Sequence, residues 1–340
     1  MTSRSDLKQA FVVMAGWAGA DQSLVAGDAS NRRYDRLRRA DGNTAIVMDA
    51  PPDRGEDVWP FIKIAQHLTA SGLSAPHILE ADVEQGFLVI EDLGDALFNR
   101  VIDADSTLEM PLYIAAVDAL IHMQATPLPA LPDFGAQTLA PMIAPAMDWY
   151  HMGATGQSDV PAKTALTRIF EQLLTPLDHT TPVMVHRDFH AENLIWLPAR
   201  AGVARVGLLD FQDAKSGHPA YDLVSVLQDA RRDVSPKTVA AAMDHYIAKS
   251  RADRSEFSAA YAILGAQRNL RILGVFARLC MRDGKAHYVD LIPRVWDHLQ
   301  TNLAHPALAP VAELLRKHLP PPTSETLEKL KSKCATYPNP

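Results

Sequence analysis

Residues 185–196 read VHRDFHAENLIW, and residues 206–213 read VGLLDFQD. An apolar run enters a polar loop, a second apolar run leaves it, and a third ends on Asp210. The pattern predicts a strand, a loop and a hairpin. Asp188 and Asn193 stand five residues apart, and Asp210 follows Asn193 by seventeen. Phosphoryl transfer from a nucleoside triphosphate needs a carboxylate to orient a hydroxyl, and hard oxygen ligands for a divalent ion. A rigid hairpin between the loop and the second aspartate would hold all three groups in fixed geometry.

Upstream the chain is rich in strands and turns. YDRLRRA and TAIVMDA flank Asp41-Gly42-Asn43, which predicts a β-hairpin. Residues 56–71 repeat apolar side chains at Phe61, Ile64, Ala65 and Leu68, a helical spacing, and Pro60 suits the first turn of that helix. PHILEADVEQGFLVIEDLG then gives two short strands around Gln85-Gly86. Together these segments predict a small five-stranded sheet carrying one helix. From Pro111 to Gln124 the pattern is helical, TPLPALPDFG (126–135) is a proline-rich connector, and helix continues to about Leu177. After the hairpin, helix resumes from Tyr221 to about Leu315, and PPPTSETLEKLKSKCATYPNP reads as a charged tail. The expected division is an N-terminal lobe over 1–92, a second lobe over 93–320 and a tail over 321–340.

Composition narrows the function. The 340 residues are 47% apolar and 21% charged, which excludes disordered and collagenous chains. Their 33 basic and 40 acidic side chains leave a net charge of −7, which argues against nucleic-acid or anionic-membrane partners. Two cysteines, Cys280 and Cys334, provide no disulfide framework and fit a reducing cytoplasm. No run reaches the ~20 apolar residues of a membrane span. AFVVMAGWAGA (10–20) has the outline of a secretory signal, but Asp6 interrupts the basic start and the segment reads as a packing helix.

HRDFHAEN resembles the catalytic loop of protein-kinase-like enzymes, in the form H-x-D-x-x-x-x-N, and LLDFQ resembles their D-F-G. The histidine two residues after Asp188 and the later GHPAYDLVSV (217–226) are similar to the aminoglycoside phosphotransferase and choline kinase family. The resemblance implies an α+β, protein-kinase-like, two-lobed fold with a small antiparallel sheet lobe and a larger, mainly helical lobe. It implies ATP and Mg²⁺ as cofactors, Asp188 as catalytic base, and Asn193 and Asp210 as metal ligands. It also implies that His186 and Asp222 support the loop.

The nucleotide side departs from the family pattern. Where a glycine-rich loop is expected the chain has GDASNRRYDRL (27–37), so Ser30, Asn31, Arg32 and Arg33 are the candidate phosphate contacts. Where the family carries a strand lysine the chain has AIVMDAPP, with Met48. FLVIEDLG (87–94) resembles the link between lobes, where main-chain groups of Glu91 to Leu93 would bind adenine.

ASNRRYDRL, VMDAPP, HRDFHAENLIWLP and GAQRNLRILGVFARL resemble, more narrowly, the bacterial anomeric amino-sugar kinases, which phosphorylate N-acetylmuramate and N-acetylglucosamine at C1. In that group the missing lysine is a common feature. The implied partner is a small amino sugar bound by a monomer. His190, Gln212, Asp213 and Arg268 are candidate acceptor contacts, Arg268 because residues 265–285 carry Arg268, Arg271, Arg278, Arg282 and Lys285 against Asp283 alone. An aminoglycoside O-phosphotransferase, another small-molecule kinase and a catalytically silent nucleotide-binding regulator remain as alternatives. A choline kinase would need an aromatic cage, and the five tryptophans are scattered.

Overall fold

The computed structural model describes residues 3–27 and 31–337. The chain forms two compact units: Met1–Leu108 with Glu192–Ala214, and Glu109–Ala191 with Lys215–Pro340.

The first unit is built on a five-stranded antiparallel sheet in the order β1-β2-β3-β5-β4. Its strands are β1 (Asp21–Gly27), β2 (Arg33–Arg38), β3 (Thr44–Asp49), β4 (Ile78–Asp82) and β5 (Phe87–Glu91). The β2–β3 hairpin pairs Tyr34 with Met48 and Arg36 with Ile46, and its turn is closed by Gly42 at φ 88°. Strand periodicity divides the side chains. Leu37, Ala45, Val47, Phe87 and Val89 form one core with Phe11 and Val12 of α1 (Arg4–Val12). Burying a side chain of this kind is worth about 1.5–3 kcal/mol. Helix α1 begins at a capping box between Ser3 and Asp6. The apolar N-terminal run is therefore a packing helix followed by a wider turn over Val13–Trp17. Among the described residues, no helix is long and apolar enough to cross a membrane.

Helix α2 (Trp59–Ala70) has Pro60 in its first turn and buries Phe61, Ile64, Ala65 and Leu68, as its spacing predicts. The short helix α3 (Phe98–Ala104) follows β5. The hairpin of β7 (Leu194–Trp196) and β8 (Val206–Leu208) joins this unit because Leu208 N–H donates to the Ser74 carbonyl at 2.7 Å and Trp196 N–H to the Ala96 carbonyl at 2.8 Å. Gly207 permits that approach: a Cβ there would lie 3.1 Å from Ile195 Cβ and 3.2 Å from Leu93 Cδ1.

The second unit is mainly helical. Its helices are α4 (Glu109–Ala125), α5 (Ala136–Leu139), α6 (Met152–Thr155), α7 (Val160–Leu174), α8 (Ala220–Leu227), α9 (Pro236–Ser250), α10 (Arg254–Met281), α11 (Ile292–Leu303), α12 (Ala309–His318) and α13 (Ser324–Ser332). A short ladder pairs β6 (Val183–Val185) with β9 (Lys215–Gly217). Helix α10 runs through the interior, buried on most of its circumference. Gln228, Asn269 and Asn302 meet there in a buried amide network, with Asn269 Nδ2 donating to Gln228 Oε1 at 2.7 Å and Gln228 Nε2 to Asn302 Oδ1 at 3.0 Å. The segment read as a tail contains α13, which Thr323 caps and Leu330 anchors by complete burial.

Candidate active site

The second unit holds the first half of the polar loop. After β6 the chain turns at His186, whose side chain is wholly buried and packs edge-on against Phe189 at 5.6 Å. Asp222, in the first turn of α8, accepts the main-chain N–H of His186 at 2.6 Å and of Arg187 at 2.9 Å. Arg187 sits at φ 81°, an uncommon conformation for a residue with a side chain. The next residue, Asp188, is half-buried. Burial works to raise its carboxyl, but its charged surroundings, chiefly the guanidinium groups of Arg187, Arg268 and Arg271, hold it below the usual carboxylate range. Asp188 is therefore ionised at neutral pH. Complete burial pushes Asp222 the other way, up to about 7, against the pull of its two amide donors.

Two expected acceptor contacts lie deeper than expected. His190 is 5% exposed, with Nε2 3.5 Å from Arg231 Nη1, and burial lowers its imidazole to about 4. Arg268 is also 5% exposed. Its Nη2 donates to Ser225 Oγ at 2.8 Å and its Nη1 to the Gln228 carbonyl at 3.4 Å. Ser225 Oγ in turn donates to the Arg187 carbonyl at 3.5 Å. Arg268 thus braces the loop from beneath, a role sequence could not assign because α10 gives no sign of which arginine faces inward.

The first unit holds the other half. Asn193 enters β7 and its carbonyl accepts the Leu209 N–H at 2.9 Å, so the hairpin sets the spacing to Asp210. Asn193 Nδ2 and Asp210 Oδ2 are 3.5 Å apart. Asp210 adopts φ 60°, and Gln212 Nε2 donates to its Oδ1 at 2.7 Å. The glutamine that replaces the family glycine therefore orients the aspartate. Asp213 is exposed. Phe211 packs at a tilt against Phe61 of α2, ring centroids 4.8 Å apart. A carboxylate and a carboxamide converging from a rigid hairpin suit Mg²⁺, which takes few protein ligands and completes its shell with phosphates and water. Among the described residues no cluster of three or more His, Cys, Asp or Glu offers a site for another metal.

On the nucleotide side, Met48 is 1% exposed and fills the position of the family lysine. Helix α2 has no acidic residue, so the usual glutamate partner of that lysine is missing too. In their place Arg32 Nε pairs with Glu56 Oε2 at 2.8 Å, and Asn31 N–H donates to Glu56 Oε1 at 3.0 Å. Strand alternation puts Arg32 with Tyr34 and Met48, whereas Arg33 turns to the opposite face, 59% exposed and 3.4 Å from Asp35. Ser30 lies outside the described residues. Glu91 is held by Arg200, and its N–H by the His77 carbonyl at 2.8 Å. Leu93 is buried, and among the described residues its main-chain groups have no hydrogen-bond partner. Glu56 and Ser225 escaped sequence reasoning. The signal for Glu56 was the joint loss of a strand lysine and a helix glutamate, which calls for a compensating pair.

The sequence profile of the phosphotransferase enzyme family matches residues 21–258. The chain belongs to that family. This phosphotransferase is 39% identical to an N-acetylmuramate/N-acetylglucosamine kinase of Caulobacter vibrioides, over 94% of this chain and 98% of that one. It is 35% identical to a protein of the same name from Pseudomonas aeruginosa, over 92% of this chain and 93% of that one. Among solved structures it shares the fold of a choline/ethanolamine kinase family protein from Mesorhizobium loti, with TM-score 0.57 and 11% identity over 97% of this chain and 100% of that one. It also shares the fold of aminoglycoside 2'-phosphotransferase-IIIa, solved with GDP, with TM-score 0.58 and 13% identity over 87% of this chain and 97% of that one.

Proposed function

We propose that this phosphotransferase is an ATP- and Mg²⁺-dependent sugar kinase that transfers the γ-phosphate to the anomeric C1 hydroxyl of N-acetylmuramate and N-acetylglucosamine, yielding the sugar 1-phosphate for reuse of cell-wall sugars in the cytoplasm. The observation that carries the reading is the 39% identity, over nearly the whole length of both chains, to a kinase named for those two sugars. The phosphoryl-transfer residues support it.

Asp188, held ionised by the surrounding positive charge, accepts a hydrogen bond from the C1 hydroxyl and aims its oxygen at the γ-phosphorus. A hemiacetal hydroxyl is more acidic than an ordinary alcohol, so Asp188 takes the proton late, as the new O–P bond forms and the bond to ADP breaks. Asn193 and Asp210 would hold Mg²⁺, which would neutralise charge on the phosphates. Gln212 fixes Asp210, and the exposed Asp213 beside it meets a sugar hydroxyl. Arg32, oriented by Glu56, takes the phosphate-binding role of the strand lysine. Its planar fork suits phosphate, and unlike the outward Arg33 it is held half-buried by Glu56. Leu93 offers its main chain to adenine. His190, Arg268, His186 and Asp222 support the loop.

The test is ADP release measured with the two amino sugars beside kanamycin as acceptors. Turnover with the sugars alone supports the reading. Turnover with kanamycin alone would make the chain an aminoglycoside kinase, and ATP binding without turnover a silent regulator.

A further inference from the structure

The C-terminal half of helix α10 carries three arginines and a fourth, Arg282, caps its end, and they differ in what they touch. Arg268 is committed to Ser225 and the Gln228 carbonyl. Arg282 forms a two-pronged pair with Asp283, at 2.7 and 3.0 Å. Between them Arg271 and Arg278 are half-buried. Neither is ion-paired or hydrogen-bonded to a carboxylate among the described residues. The one acidic charge near Arg278, that of Asp283, is already held by Arg282, and Arg278 Nε is buried without a partner.

Partly burying two neighbouring guanidinium groups that have no directly paired carboxylate costs free energy, because each gives up water and repels the other. The repulsion is visible at Arg278, whose guanidinium is pushed down by burial first, and then by the charges of Arg282 and Arg271. A helix keeps such a pair when an anion that is not part of the chain completes it. The position of the pair says where that anion lies. Arg268 and Arg271 are three residues apart and share a face of α10. Through Ser225 that face braces the Arg187 carbonyl, one residue before Asp188. The charge of Arg271 is among those that act on Asp188.

We propose that Arg271, assisted by Arg278, is the carboxylate-reading site of the acceptor: its guanidinium pairs with the lactyl carboxylate that distinguishes N-acetylmuramate from N-acetylglucosamine. The inference rests on the sugar-kinase function proposed above and extends it to the basis of preference between the two substrates. A carboxylate matches the two parallel N–H groups of arginine, whereas lysine offers charge without the fork. The aminoglycoside alternative fares badly at this site, since a polycationic acceptor would be repelled.

Steady-state kinetics of the full-length Arg271→Met, Arg271→Lys and Arg278→Met proteins, with both sugars, test the assignment. Losing a charge-assisted pair is expected to lower kcat/KM for N-acetylmuramate about 10- to 100-fold for Arg271→Met, mainly through KM. The loss for N-acetylglucosamine should stay within about threefold, and Arg271→Lys should recover part of the deficit. The methyl ester of N-acetylmuramate should behave toward the unmodified enzyme as the acid behaves toward Arg271→Met, and the variant should show no further loss with the ester. Equal losses on both sugars, or a raised KM for ATP, would mean that Arg271 serves the nucleotide phosphates or the fold, and would overturn the proposal. An unmodified enzyme that phosphorylates neither sugar would overturn the function itself, a result distinct from loss of selectivity.

Discussion

Asp222 Oδ1 lies 2.9 Å from the amide nitrogen of Arg187, and the other oxygen of the same carboxylate takes the preceding amide at 2.6 Å. One buried side chain therefore holds the backbone turn, at φ 81°, that delivers Asp188. Removing it as Asp222→Ala leaves two buried N–H groups without an acceptor, at about 1–3 kcal/mol each. The variant should lose several kcal/mol of stability in urea unfolding, and with it most of kcat.

The same carboxyl gives stability a pH dependence. Its folded value, pushed up to about 7 by burial, exceeds the ordinary aspartate value. The folded state thus binds the proton more tightly, and Asp222 contributes stability that is present in acid and lost as pH rises through about 7. Relative to Asp222→Asn, the unmodified protein should be more stable at pH 5 than at pH 8. Urea midpoints measured at the two values check this, and a pH-independent difference contradicts it.

Asp188 behaves oppositely. Held below the usual range by Arg187 and its neighbours against the effect of burial, it stays ionised down to acid pH. Asp188→Asn should lower kcat by about 10²–10⁴-fold with ATP affinity nearly unchanged. Single-turnover rates and nucleotide binding, measured separately, check the split. A kcat equal to that of the unmodified enzyme removes Asp188 from catalysis.

The Arg32–Glu56 pair can be tested without touching the loop. Glu56→Gln frees the guanidinium from its orienting carboxylate and should raise KM for ATP about tenfold, leaving the sugar KM unchanged. Arg32→Met should do more. Introducing lysine as Met48→Lys should not rescue it, because Met48 packs in the sheet and α2 supplies no glutamate.

Gln212 ties Asp210, the carboxylate proposed to hold Mg²⁺, to its setting. Gln212→Ala releases Asp210 Oδ1, and the half-saturating Mg²⁺ concentration should rise about tenfold, the usual scale for losing a residue that orients a metal ligand. Rates measured across a Mg²⁺ titration at saturating ATP report it.

The loop and hairpin that carry the candidate site were legible in the sequence because they are local. Asp188, Asn193 and Asp210 are spaced by one loop and one hairpin, and period-2 runs on either side of Asp41-Gly42-Asn43 predict the β2–β3 ladder. Less could be read of what depends on approach in space. Glu56 becomes a partner of Arg32 only because the turn after β3 returns to the start of β2. Arg268 and Arg271 are indistinguishable by type, and only the packing of α8 on α10 decides which one is committed to Ser225. The hairpin at 194–208 joins the first unit through Ser74 and Ala96, contacts that no local pattern displays. Helix α13 was visible in principle, from the Thr323 cap and the Glu325–Lys329 pair, but the run of prolines before it hid the signal.

The central claim is that phosphate is placed on the anomeric oxygen of an amino sugar. Phosphorus NMR of the product formed from ATP, Mg²⁺ and N-acetylmuramate labelled with ¹³C at C1 tests it most directly. The account predicts a new phosphomonoester signal split by the labelled carbon and by the anomeric proton. A phosphoester lacking the ¹³C splitting, or no product while ATP still binds, would contradict it.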